Sequence, residues 1–136
     1  MRKNTAIHAL AVWRSLHPDD IRAQELQSVR DTLAKGPLQL MDRRWPAAAR
    51  GEAFAAVGVG VDRLHDRTDP QTAAFDLAMT ALVQAACGGN PAAALVLAHG
   101  LEALARANGD IRADALAQAW ARRCPMVDAV RPRRPR

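Results

Sequence analysis

The 136 residues suffice for one domain, but with 30 alanines, no tyrosine and only 28 Leu, Ile, Val or Phe, few large side chains are available to its core. The net charge of +5 does not describe a basic folded surface: Arg2, Lys3, Arg131, Arg133, Arg134 and Arg136 exceed it by one between them, leaving residues 4–130 at −1. Cys87 and Cys124, 37 positions apart and without a CxxC partner, exclude a disulfide framework or a thiolate zinc site, and no apolar run approaches the ~20 residues that span a membrane.

Alanine is the strongest intrinsic helix former. The predicted class is all-α: a single-domain bundle of five main helices plus a short one over residues 1–125, then a flexible basic Arg/Pro-rich C-terminal tail over 126–136. Seventeen arginines against two lysines fit GC-rich codons and hence a bacterial source. Arg2 and Lys3 precede an apolar stretch, but His8 and Arg14 interrupt it, so no signal peptide is read and a cytoplasmic location is expected. The thin core and Ala-rich faces also point to a second subunit.

In chain order, Asn4 or Thr5 caps a first helix that ends near Leu16 and is broken by His17-Pro18. Pro18 opens the next, with Asp19 and Asp20 in its positive first turn, Leu26, Val29 and Leu33 on its inner face, an Asp31–Lys35 pair, and Gly36-Pro37 as its stop. Leu38 to Trp45 reads as a short helical turn. Pro46 then opens a long helix to about His65, whose Phe54, Val57, Val61 and Leu64 have the spacing of a buried stripe. Gly58 and Gly60 each cost that helix about 1 kcal/mol relative to alanine, which close approach of a neighbouring helix explains. The Val/Gly alternation over 57–61 also suits a strand, but nothing else in the chain reads as its partner.

Thr68 or Asp69 caps the following helix, with Pro70 its first residue and Phe75, Met79, Leu82 and Ala86 inward. Gly88-Gly89 ends it. Asn90 caps the next and Pro91 opens it, with Leu97, Leu101 and Leu104 inward and a Glu102–Arg106 pair outward. Asn108-Gly109 stops that helix, Asp110 caps the last one, Leu116 and Trp120 face inward, and Cys124-Pro125 closes it.

Trp13 and Trp120 read as core. Trp45 stands between Arg43, Arg44 and Pro46 in an irregular segment and is expected to be partly exposed; tryptophan is favoured at interface centres. Trp45, Arg43 and Arg44 are therefore the predicted protein-interaction residues. The turn at Asn108-Gly109-Asp110 has the outline of a helix-turn-helix, with Ala105 as the small residue of its first helix and Arg112, Gln118 and Arg122 outward on its second. Asp110, Ala115 and Gln118 replace the apolar residues usual there, and Asp114 repels phosphate, so an ordinary hairpin with a left-handed glycine is favoured. Those three outward residues and Arg131, Arg133, Arg134 and Arg136 make up the alternative, a nucleic-acid surface of salt-dependent affinity.

Asp62, His65 and Asp66, with Asp69 close by, share a helical face as metal ligands can, but the interspersed Arg63 and Arg67 offer the acids ordinary partners. His99 beside Glu102 reads as a surface residue. Ser15 and Ser28 lie outside any G-x-S-x-G turn, and Gly88-Gly89-Asn90 lacks the lysine of a phosphate loop. Cys87 and Cys124 stand at helix C-termini, where the dipole disfavours a thiolate. No catalytic residue, metal ligand or cofactor is assigned. The expected function is a non-enzymatic helical protein-interaction or regulatory module, a homodimer or bound to another protein. The alternative is a DNA-associated accessory protein using the hairpin over 105–123 and the basic tail; a small enzyme ranks third.

Overall fold

Open helix ends need hydrogen-bond partners, and this chain supplies them at most of its turns. The computed structural model describes residues 8–36 and 38–123. Its helices are α1 (Val12–Ser15), α2 (Ala23–Lys35), α3 (Trp45–Ala49), α4 (Ala53–His65), α5 (Ala73–Cys87), α6 (Pro91–Asn108) and α7 (Ile111–Arg122), with 3₁₀ turns at Ala9–Ala11 and Pro18–Asp20. Five of these helices are long and no strand occurs among the described residues, so the fold is all-α. Asn90 caps α6 by accepting the Ala93 N–H at 2.9 Å, and Asp110 caps α7 by accepting from Arg112 and Ala113. Gly109 joins them at φ 65°, the left-handed geometry that closes α6. The proposed caps Asn4 and Thr5, and the tail over 126–136, lie outside the described residues.

Three boundaries differ from expectation, each because a side chain captures a different backbone group. Pro18 opens only a 3₁₀ turn, because Glu25 accepts the Arg22 N–H at 2.8 Å and starts α2 at Ala23. Pro70 precedes α5 by three residues: Thr72 donates to the Asp69 carbonyl and accepts the Phe75 N–H, so Thr72 is the cap. The expected long helix from Pro46 to His65 is two helices, α3 and α4, and residues 38–44 are not helical. Gly51 breaks them with φ +94°, and Gln84 of α5 donates to the Ala49 carbonyl at 3.2 Å, holding the break onto the bundle.

Helix α5 is the centre of the molecule. It is buried on nearly every side, from Phe75 to Ala86, and α1, α2, α3, α4 and α6 all pack against it. Two glycines let its neighbours come close. A Cβ on Gly60 of α4 would lie 2.7 Å from Leu82 Cδ1 and 3.0 Å from Val96 Cγ1, and one on Gly100 of α6 would lie 2.5 Å from the Met79 sulfur. The close approach expected for Gly60 is therefore a junction of three helices. Gly58 serves differently: a Cβ there would meet the Arg44 guanidinium, not a helix.

The N-terminal segment is latched by side chains at both ends. Trp13 is fully buried with its ring centroid 5.7 Å from that of Phe75, and its Nε1 donates to Asp76 Oδ1 at 2.8 Å. Arg14 donates to both oxygens of the same carboxylate, at 3.0 and 3.2 Å. Arg112 of α7 donates to the Ser15 carbonyl at 3.0 Å, and Arg123 pairs with Asp19 at 2.9 Å.

Two stability predictions follow from this packing. Asp76→Ala leaves the Trp13 indole N–H buried without its acceptor, and urea denaturation should read a loss of about 1–3 kcal/mol. Gly60→Val forces an isopropyl group, whose Cβ already clashes, into the α4–α5–α6 junction, and the same assay should read a loss of roughly 1–3 kcal/mol. Wild-type midpoints in either variant would refute its part.

Candidate interaction surface

The structure moves the predicted interaction residues apart. Trp45 is 3% exposed. It is the first residue of α3, and that helix buries Trp45 with Ala48, so the indole expected at a surface is in the core. Trp13 and Trp120 are fully buried, as expected. Arg43 is exposed. Arg44 is engaged within the chain: Nε and Nη2 donate to the two oxygens of Asp42 at 3.0 and 2.7 Å, and Nη2 also bonds Asp62 of α4. The Asp42 carboxyl also accepts the Arg44 backbone N–H at 2.8 Å.

These bonds set the charge state of the clamp. The Arg44 guanidinium, and after it the Arg44 backbone N–H, hold the Asp42 carboxyl down at about 2, from an ordinary 3.8. Asp42, then Asp62, drive the guanidinium pKa further up. The clamp joins the segment before α3 to the last turn of α4, and the Arg44 side chain lies across Gly58.

The stripe expected to be buried on α4 faces outward in large part. Phe54 is 89% exposed and Val61 is 45% exposed, while Val57 and Leu64 are half-buried. The buried face is made of Ala55, Ala56, Val59 and Gly60. Periodicity identified an apolar stripe correctly but assigned it to the wrong side, because α4 carries two. The small residues win the core: they let α4 approach α5 and α6 to a distance that Phe54 and Val61 would prevent. Phe54, Val57 and Val61 fall within an arc of about 60° at 3.6 residues per turn. Met41, fully exposed, and Leu38 belong to the segment that the clamp ties to α4. Phe54 and Met41 are the residues the sequence reading missed as surface candidates; no signal short of packing separates the two apolar faces of α4.

The remaining candidates have local partners. Asp66 accepts from Arg63 at 3.4 Å, and among the described residues no three metal-ligating side chains converge, so Asp62, His65 and Asp66 form no common site. Glu102 lies 3.3 Å from His99 Nδ1 and not against Arg106, and Asp31 accepts from Gln27 in place of Lys35. On α7, Arg112 is spent on Ser15, Gln118 contacts Asp114 at 3.5 Å, and Arg122 is exposed. The outward face of the hairpin thus alternates in sign. Arg131, Arg133, Arg134, Arg136 and Cys124 lie outside the described residues. The Cys87 thiol is pushed up by burial, which opposes thiolate formation.

No protein family, curated protein or solved structure matches this chain.

The Asp42 clamp has a pH signature. A carboxyl depressed from 3.8 to about 2 stabilises the folded chain above the upper value and loses that contribution as pH falls through the lower one. Thermal midpoints of wild type and Asp42→Asn should therefore differ at pH 5 and converge as pH falls from about 4 to about 2. Parallel curves across that window would exclude the clamp as their cause.

Proposed function

We propose that this chain is a non-enzymatic helical interaction module that self-associates as a homodimer through the outer face of α4. One observation carries the reading: Phe54, 89% exposed, stands in line with Val57 and Val61 on a helix whose other apolar face already fills the core. Aromatic residues are enriched at interface cores, ringed by polar groups. Here the flanking groups are Arg44, Asp42 and Asp62, which carry both signs within one patch.

That mixture favours a second copy over an acidic or basic partner. A two-fold interface sets the same patch against itself, so it must contain its own complement. An apolar ridge on α4 beside one guanidinium and the two carboxylates it bonds meets that condition, since both signs stand at the edge of the ridge in each copy. A cytoplasmic location belongs to the same proposal; among the described residues no helix is long and apolar enough to cross a membrane. The nucleic-acid alternative is weaker, because Arg112 bonds the Ser15 carbonyl and Asp114 stands on the face of Gln118 and Arg122.

Sedimentation velocity over a range of concentrations tests the dimer. The wild-type mass should rise from 14.7 kDa toward twice that value. Phe54→Asp should keep the helical signal and thermal midpoint, because the ring is not in the core, yet weaken association by roughly 30-fold or more, as loss of a central aromatic contact does. A wild-type chain that stays at 14.7 kDa throughout, or a Phe54→Asp dimer as tight as wild type, would refute the reading.

A further inference from the structure

A second feature lies away from the Phe54 strip. Between the end of α4, the connection to α5, and one side of α6 the surface opens into a cleft of about 570 Å³. Its apolar lining is Leu64, Pro70, Phe75 and Ala103, and its polar lining is Arg67, Thr68, His99 and Arg106. His99, Ala103 and Arg106 fall at i, i+4 and i+7, so α6 presents them as one stripe. The volume is that of small-molecule sites, which combine apolar walls with a few polar groups.

Arg67 is the informative residue. It follows the last turn of α4 with φ 55°, and no other non-glycine among the described residues has positive φ. The geometry is fixed by its neighbours: Arg67 N–H donates to the Leu64 carbonyl at 3.1 Å, and Thr68 N–H donates to the Arg63 carbonyl at 3.0 Å. This is the left-handed position after a helix that glycine normally fills, because a Cβ there is strained. An arginine at that position keeps the strain and places a guanidinium at the cleft. Like most arginines among the described residues, Arg67 and Arg106 have no ion pair; what sets these two apart is that both line one cleft.

We propose that this cleft binds a small amphipathic carboxylate, its apolar body against Leu64, Phe75 and Ala103 and its carboxylate held by Arg67 and Arg106. A guanidinium matches a carboxylate with two parallel donors. The lining holds two guanidiniums and no carboxylate; of the neighbouring acids, Asp66 is met by Arg63 at 3.4 Å and Glu102 by His99 at 3.3 Å. The apolar half of the lining favours a carboxylate with an apolar body over inorganic phosphate. The ligand would also relate the strain at Arg67 to a function, as strained backbone at binding sites commonly does.

The test uses octanoate, octanol, acetate and inorganic phosphate as probes, titrated into the full chain by calorimetry and by backbone NMR shifts. Octanoate is expected to bind at least tenfold more tightly than the other three, with shifts at Arg67, Thr68, His99 and Arg106. Arg67→Gly is the decisive variant, since glycine suits the left-handed position and leaves the fold at least as stable. It should lower octanoate affinity tenfold or more while the thermal midpoint holds or rises, and Arg106→Gln should lower affinity similarly. Saturation by octanol or acetate at the same concentration as octanoate, no octanoate binding at millimolar concentration, or unchanged affinity in Arg67→Gly would each overturn the proposal. Repeating the octanoate titration on Phe54→Asp keeps the result independent of self-association.

Discussion

The structure depends on how closely α4 can lie against α5 and α6. With 30 alanines and few large side chains, the interior cannot be filled by bulk, so it is filled by proximity. Gly60 against Leu82 and Val96, and Gly100 against Met79, are the places where that proximity is greatest. With Ala55, Ala56, Val59 and Gly60 together on the inner side, helical geometry leaves Phe54 and Val61 exposed on the opposite side, while Val57 at the edge of the strip stays half-buried against the core. The exposed strip is thus the geometric remainder of the core.

Much of the fold was legible because its signals are local. Asn90 before Pro91, Gly109 before Asp110, and Gly88-Gly89 act through backbone groups within a few residues, and they mark boundaries where the sequence places them. The α3–α4 break was not legible. Gly51 reads as an ordinary helix residue until Gln84, 35 positions beyond Ala49, accepts the task of holding the turn. Trp45 was misplaced for a related reason: Arg43, Arg44 and Pro46 suggest a surface, but the Arg44 clamp spends one of those charges inside the chain. The two apolar faces of α4 are a further case. Hydrophobic period finds both and has no means of ranking them, since the ranking lies in the contact distance to α5 and α6.

Arginine shows how poorly charge counts translate into surfaces. Arg14 and Asp76 tie α1 to α5, Arg112 and Arg123 tie α7 to the N-terminal segment, and Arg44 ties the segment before α3 to α4. Each crosses between elements that the thin core joins weakly. Exposed pairs of this kind contribute little one at a time, roughly 0–1 kcal/mol. The Asp76 group is different, because it also satisfies the buried Trp13 indole, and a donor left without an acceptor there is costly. The latches therefore select which helix faces meet more than they add to total stability.

The arginines that do not latch elements gain meaning from that background. Five described arginines, Arg14, Arg44, Arg63, Arg112 and Arg123, bond a carboxylate or carbonyl of the chain, whereas Arg67 and Arg106 meet at a cleft. Arg67 stands at a backbone position where glycine would relieve strain, so its presence is not explained by the fold. Helix α4 thus ends at one surface and runs along another, Leu64 in the cleft and Phe54 to Val61 on the outer strip. The two are built from different residues of one helix and require different partners. A helix already committed to the core through its small residues has its larger ones left over for both.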